Sequence, residues 1–359
     1  MIKIEIQNSC PRCKAVSFRV IAIILALIVG GIFILCIHKN PFTVYLSMIQ
    51  GAFGTKYRVT ETIVKTIPML LCSLGIAVAF KLKFWNIGAE GQLMMGAVVA
   101  SYIALNYGGL PSYILIPIML VAGSAAGAVW GGIPAFFRAK FRTNETIFTL
   151  MLNYIALKII VYLQYGPWRD PSALGFPKIP NFSPNALLPK AFGIHVGLII
   201  ALVATIIMYI FMKHSKRGYE ISVVGESENT ARYAGMNVSR IIITTMLISG
   251  GLCGLAGVIE ASGVSRTLSE YISGGVGYTA ITTAWLSGLN PLVMIVVCFL
   301  FAAMVQGGSY IQMAQEIPQS VALILQSTIL FFVLGSEFFI RYKVTFHKIR
   351  TSQEELNND

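Results

Sequence analysis

Long apolar runs separated by short polar turns dominate the chain. They fall at about 16–37, 59–80, 84–106, 111–135, 144–165, 192–212, 241–262, 275–289, 291–312 and 318–336. A helix of about 20 apolar residues is what crosses a ~30 Å hydrocarbon layer. Runs such as 21–37 are continuous and do not alternate at period two, so membrane-barrel strands are not expected. The pattern predicts an all-α integral membrane protein of about ten transmembrane helices, with the N- and C-termini cytoplasmic. The eighth run, 275–289, is short for a full crossing and rich in Thr and Gly. It predicts a broken or re-entrant element packed inside protein.

The segments between the runs complete the outline. Residues 40–58 are amphipathic and are expected along the outer membrane face, and 166–192 are Pro-rich and turn-forming. The inner segment 213–240 is polar yet carries Ala231, Ala234 and Met236 at helical spacing, which predicts a short cytosolic helix. Three parts follow: a cytoplasmic tail over 1–15, a single transmembrane domain over 16–340, and a second cytoplasmic tail over 341–359. The first run is too long for a signal-peptide core and lacks a small-residue cleavage pattern before His38 and Lys39, so it reads as a retained helix. Residues 60–105 and 266–312 resemble each other faintly, each setting a Gly-rich polar stretch against an apolar span.

Composition agrees with this outline: 56% of residues are hydrophobic and 12% charged, with a mean hydropathy of +0.73. The net charge of +12 would suggest nucleic acid in a soluble protein. Here most of the 27 Lys and Arg gather in 3–19, 81–83, 138–142, 213–240 and 341–350, which share one side when the N-terminus is cytoplasmic. The charge therefore reads as topology, the lipid bilayer is the partner, and nucleic acid is not. Cys36, Cys72, Cys253 and Cys298 lie inside apolar runs, where a thiol behaves as a small hydrophobe. Cys10 and Cys13 form a Cys-Pro-Arg-Cys pair that suits half a zinc site or a redox pair; with no second pair and no nearby His, no metal is expected.

The strongest polar constellation inside the runs is Phe84-Trp-Asn86-Ile-Gly88-Ala-Glu90-Gly91-Gln92-Leu-Met-Met-Gly96. Asn, Glu and Gln are costly in hydrocarbon and tolerated facing a bundle interior or a watery cavity. Asn86, Glu90 and Gln92 are therefore candidates for a translocation pathway, with glycines that permit a broken helix. Asn86 and Glu90 equally suit the cap of a helix that starts after Lys81 and Lys83. A proton relay at Glu90 would make the chain an ion-coupled secondary carrier, and no second membrane acid obviously pairs with it. Asn144 fits an N-cap with Glu145 beside it, and mid-span Asn153 fits either a polar path or an interhelical hydrogen bond. Gly123, Gly127, Gly131, Gly250, Gly254 and Gly257 predict close helix packing. The chain has no P-loop, no Gly-Lys dipeptide, no His-Glu-x-x-His and no Gly-x-Ser-x-Gly, so no enzyme activity and no ATP site of its own is expected.

Three stretches carry a family resemblance. The Asn-Ile-Gly-Ala-Glu-Gly-Gln core of 84–96 is similar to the signature of ABC-importer permeases of the ribose/nucleoside class. Residues 225–238, from Gly-Glu-Ser-Glu-Asn-Thr-Ala-Arg-Tyr-Ala-Gly onward, resemble that family's cytoplasmic signature loop, and 143–154 resemble a third family stretch. The resemblance runs from about 40 to 335 and leaves the tail with Cys10 and Cys13 outside it. It implies a second, similar permease chain, ATP-binding subunits beneath, and an extracellular solute-binding lipoprotein. It further implies that 213–240 forms a coupling loop on the ATPase, with Glu226, Arg232, Tyr233, Ala234 and Gly235 at the contact. The Ala-Glu-Gly-Gln form resembles the nucleoside branch, with simple sugars and riboflavin-like compounds as alternative cargoes.

Overall fold

The computed structural model describes residues 2–6, 12–191 and 193–346. In chain order its elements are β1 (Ile2–Ile6), α1 (Arg12–Cys36), α2 (Pro41–Phe53), α3 (Lys56–Lys81), α4 (Ala89–Asn106), α5 (Ser112–Phe141) and α6 (Glu145–Tyr165). They continue with β2 (Lys190–Ala191), β3 (Ile194–His195), α7 (Gly197–His214), α8 (Lys216–Glu226), α9 (Glu228–Tyr233) and α10 (Val238–Ile259). A π-helical turn, Glu260–Ser265, extends α10, and α11 (Val276–Leu286), α12 (Pro291–Ala314), α13 (Gln319–Arg341) and β4 (Tyr342–Phe346) follow. Helices dominate, as the apolar runs predict. Two antiparallel pairings qualify the all-α expectation: β1 with β4, in register Ile2↔Phe346, and β2 with β3, in register Lys190↔His195. Cys10 lies outside the described residues, as does the side chain of Cys13.

Among the described residues, six helices are long and apolar enough to cross a membrane, or seven if the pair Val20–Cys36 and Pro41–Phe53, bent by 113°, counts as one span. Neither α4 nor α11 is among them. At 11 residues, α11 is only ~16 Å long, about half a hydrocarbon layer. The predicted run 84–106 begins as a helix only at Ala89, because residues 82–88 are a non-helical break.

The chain divides into two compact units, Met1–Gly51 with Gly307–Asp359, and Ala52–Gln306. The first is cored by Ile34, Val44, Ile311, Ile317, Val321 and Leu325. In the second, α3 is central: 89% of its apolar window is buried, against 28% for α5, α6 and α7. Every residue from Thr66 to Phe80 is buried, as expected of a helix that is apolar all round. Small residues let its neighbours close in, since a Cβ at Gly75 would lie 2.6 Å from the Ser249 carbonyl oxygen of α10.

Helices α4, α5 and α10 pack backbone to backbone through the predicted glycines. A Cβ on Gly254 would lie 2.6 Å from the Gly123 oxygen and 2.9 Å from the Gly127 Cα, and one on Gly96 would run into the Gly254 backbone. One on Gly257 would strike the Leu93 carbonyl oxygen. Without lipid-excluded apolar area to drive them together, membrane helices gain contact by this close approach.

At the start of α7, His195 is 2% exposed, and both its ring nitrogens lack a hydrogen-bond partner among the described residues. Burial, helped by nearby Lys190, lowers its pKa from 6.5 to about 4. Its neutral form is thus favoured in the fold, so the stability it permits is complete above the unfolded pKa and is lost as pH falls toward about 4. Stability against thermal unfolding is expected to fall by on the order of 1–3 kcal/mol between pH 7 and 4 from this group, and His195→Leu should flatten that dependence.

Candidate functional site

The break between α3 and α4 is built by hydrogen bonds that the sequence supplies locally. Helix α3 ends where Lys83 turns left-handed at φ 56°, and the amides of Leu82, Lys83 and Phe84 return to the carbonyls of Ala79 and Phe80. Asn86 then folds over its own chain: its Oδ1 accepts the Gly88 amide at 2.9 Å, which sets the start of α4. Asn86 Nδ2 donates to Ser249 Oγ of α10 at 3.1 Å and to Gln92 Oε1 at 3.3 Å, while Gln92 Nε2 donates back to Asn86 Oδ1 at 3.2 Å. Both amides are fully enclosed, at 0% and 1% exposure, and satisfy each other.

Helix α6 holds the same break from the other side. Glu145, Thr149 and Asn153 lie four residues apart, on one helix face. Their side-chain oxygens accept in turn the backbone amides of Trp85 (3.5 Å), Ile87 (3.3 Å) and Gly91 (2.8 Å). Asn153 Nδ2 also donates to the Ile87 carbonyl at 2.9 Å and to the Tyr278 hydroxyl at 3.3 Å. Glycine is required at 91 because a Cβ there would lie 2.9 Å from Asn153 Oδ1. Asn144 caps this helix as predicted, accepting the amides of Thr146 and Ile147.

Glu90 stands in the first turn of α4 and reaches across to the start of α11. Its Oε2 accepts the Gly277 amide at 2.7 Å and its Oε1 the Gly275 amide at 3.1 Å, with Ser273 also bonded to it. Gly275 has no side chain to cap α11 and sits at φ 77°, so Glu90 serves as its cap from a distant helix. A carboxylate suits two converging helix N-termini, whose free amides carry partial positive charge. The approach is close enough that a Cβ on Gly277 would meet the Glu90 backbone.

On the polar side of the break, a charged chain links it to the segment 213–240. Arg138, in the last turn of α5, pairs with Glu145 and reaches Glu228 of α9 at 3.5 Å, while its guanidinium lies 5.5 Å from the Phe84 ring centre. Arg232 approaches Glu228 at 4.0 Å. Between these groups lies a cleft of about 650 Å³ lined by Trp85, Arg138, Glu145, Glu228 and Arg232. Ser227 caps α9 by accepting the Thr230 amide, and Gly235 ends it at φ 76°. Ala231 is buried, whereas Glu226, Arg232, Tyr233, Ala234 and Gly235 are exposed, Tyr233 at 93%. Gly225 packs α8 on the end of α3, where a Cβ would collide with the Lys81 carbonyl.

The structure thus gathers Asn86, Glu90, Gln92 and Asn153 around one break, and sets Arg232–Gly235 apart on an open surface. Sequence reasoning passed over Thr149, Ser249, Gly275, Gly277, Tyr278, Arg138 and Glu228. The spacing of Glu145, Thr149 and Asn153 was a legible signal; the distant partners carried none. No group of three or more metal-ligating side chains occurs among the described residues.

Comparisons with known proteins agree with this architecture. Residues 58–334 match the family model described as branched-chain amino acid transport system / permease component. A glucose ABC transporter permease protein, TsgB13 of Haloferax volcanii, is 32% identical over 96% of this chain and 93% of its own length. The guanosine ABC transporter permease protein NupP of Bacillus subtilis is 33% identical over 90% of this chain and 93% of its own. A second guanosine permease protein of that organism, NupQ, is 27% identical over 65% of this chain and 76% of its own. The chain therefore belongs to the family of branched-chain amino acid transport system / permease components, as a multi-pass membrane permease subunit of the ABC transporter class and not an enzyme.

Proposed function

We propose that this chain carries a nucleoside across the cytoplasmic membrane by alternating access, as one half of a permease core driven by ATP-binding subunits. The observation that carries this is the polar break at 82–88 with the first turn of α4 that follows it, held on one side by the Glu90 bond to α11 and tied on the other, through Glu145 and Arg138, to α9. Movement of α9 then pulls on the break through the Glu228–Arg138–Glu145 chain of charges, and the break controls α11. In this reading 213–240 is the coupling loop, and exposed Glu226, Arg232, Tyr233, Ala234 and Gly235 meet the ATPase. The path passes the break, with Glu90 and Asn153 at its wall and Asn86 and Gln92 behind them keeping its shape. Ten membrane elements, α11 among them as a half-span, return both termini to the cytoplasm.

ATP belongs to the partner subunits, and this chain holds no cofactor. The second permease is a different chain, a pairing supported by two guanosine permeases in one organism, NupP and NupQ. An extracellular binding lipoprotein delivers the cargo. Nucleoside is preferred to sugar because the Ala-Glu-Gly-Gln motif and the similarity to NupP point the same way. A simple sugar is the second reading, favoured by the similarity to TsgB13.

Uptake of labelled guanosine, adenosine and glucose in cells lacking and regaining this chain tests the proposal. Restored nucleoside uptake should collapse on ATP depletion with the proton gradient held. Uptake that follows the proton gradient instead would overturn it for a secondary carrier, and glucose uptake alone would overturn the cargo. In the same cells Gly235→Glu should abolish uptake while the chain remains in the membrane, and undiminished uptake would remove the coupling role from this loop.

A further inference from the structure

Aromatic side chains gather where the break meets α11. Phe80 in the last turn of α3, Trp85 in the break and Trp285 in the last turn of α11 are mutual neighbours. Their ring centres are 5.4 Å (Phe80–Trp85), 5.5 Å (Phe80–Trp285) and 5.8 Å (Trp85–Trp285) apart, the last pair stacked at 29°. Tyr278 lies seven residues before Trp285, close to two helical turns, so the two share a face of α11. Gly277, Ala280 and Ala284 form the buried face of that helix, while Tyr278, Ile281 and Trp285 remain at least partly open. Trp85 continues the open strip with 49% of its surface exposed. Beside its other end, a Cβ on Gly274 or Gly275 would meet nothing within 4 Å, so the space there is free.

An interfacial belt is the ordinary reason for Trp and Tyr in a membrane protein. Belt rings sit at the headgroup level. Tyr278 instead stands in the first turn of α11, next to the amide that Glu90 holds, with its hydroxyl accepting from Asn153 at 3.3 Å. It is ~10 Å along the helix from Trp285. One line of surface thus carries partly open aromatic rings and a phenol hydroxyl, a combination poorly suited to hydrocarbon and well suited to a planar polar solute.

We propose that Trp85, Trp285 and Tyr278 form a stacking strip that receives the aromatic base of a nucleoside as it passes the break; this rests on the nucleoside reading above. Stacking needs only a π-face, which every base has, so the strip accepts purines and pyrimidines alike while disfavouring solutes without a flat ring.

The test compares uridine with 5,6-dihydrouridine, whose base is saturated and non-planar, in proteoliposomes holding the complete transporter. The chain is wild type, Trp285→Leu, Trp285→Phe or Trp85→Leu, with the binding protein the same throughout. The wild type should prefer uridine. Either Leu variant should lower uridine uptake about tenfold, the size of one lost base–aromatic stack, with dihydrouridine uptake nearly unchanged, and Trp285→Phe should keep the preference. Equal loss of both solutes in the Leu variants, an unchanged ratio, or no preference in the wild type overturns the strip and leaves nucleoside transport standing. A wild type that moves glucose but neither nucleoside overturns the cargo reading and the strip together.

Discussion

Glu90→Leu is expected to cut uptake by more than tenfold in a chain that still reaches the membrane, with Glu90→Gln intermediate. The carboxylate is 4% exposed and accepts the amides of Gly275 and Gly277, so an apolar side chain leaves two donors at the start of α11 without their partner. An unsatisfied buried donor costs about 1–3 kcal/mol, and hydrogen bonds to a charged group are the stronger kind. Gln retains one carbonyl oxygen and can keep one of the two bonds. Gly277→Val attacks the same junction from the other side, because its Cβ would push against the Glu90 backbone. The double variant should therefore be little worse than either single one, the non-additivity of two changes to one contact. Uptake and thermal midpoints of the four forms measure this, and strict additivity would mean that Glu90 does not act through α11.

The second large effect is on assembly. Gly254→Ala should lower the thermal midpoint sharply and reduce the folded yield, whereas Gly251→Ala, three residues earlier on the same helix, should be close to neutral. A methyl at 254 would sit 2.6 Å from the Gly123 oxygen and 2.9 Å from the Gly127 Cα, both backbone atoms that move only if whole helices separate. At 251 the nearest atom is Ser124 Oγ at 3.4 Å, an ordinary contact. Overpacking typically costs about 1–3 kcal/mol, and here it would be transmitted along α4, α5 and α10 together. Removing a glycine's flexibility works in the other direction by about 0.4–1 kcal/mol, which offsets what little strain arises at 251. Equal midpoints for the two variants would show that the three helices do not meet through their backbones.

Much of this was legible beforehand. Apolar runs placed the long helices within a few residues, since a 20-residue apolar stretch has few alternatives to a helix in lipid. The short eighth run announced α11, Asn144 announced the start of α6, and the glycines of α5 and α10 announced a dense bundle. Residues 84–88 misled because their apolar side chains continue the pattern of α4; the helix is prevented there by the left-handed turn at Lys83 and the side-chain bond of Asn86 to Gly88. The two-stranded pairings β1–β4 and β2–β3 were not foreseen, because strands of 5 and 2 residues leave no usable period.

By itself, then, the sequence determined that this is a helical membrane protein, and which polar residues it could not afford to leave in lipid. Hydrophobicity and residue type act locally, so they can be read locally. Only the tertiary structure decided what those polar residues hold. Asn86 pairs with Gln92 and with Ser249; Glu90 caps a helix that starts 186 residues later, at Val276; Arg138 joins Glu145 to Glu228. Each partner is brought in by the packing of α3, α4, α5, α6 and α10, and hydrogen bonds of a few ångströms exist only once that packing has formed.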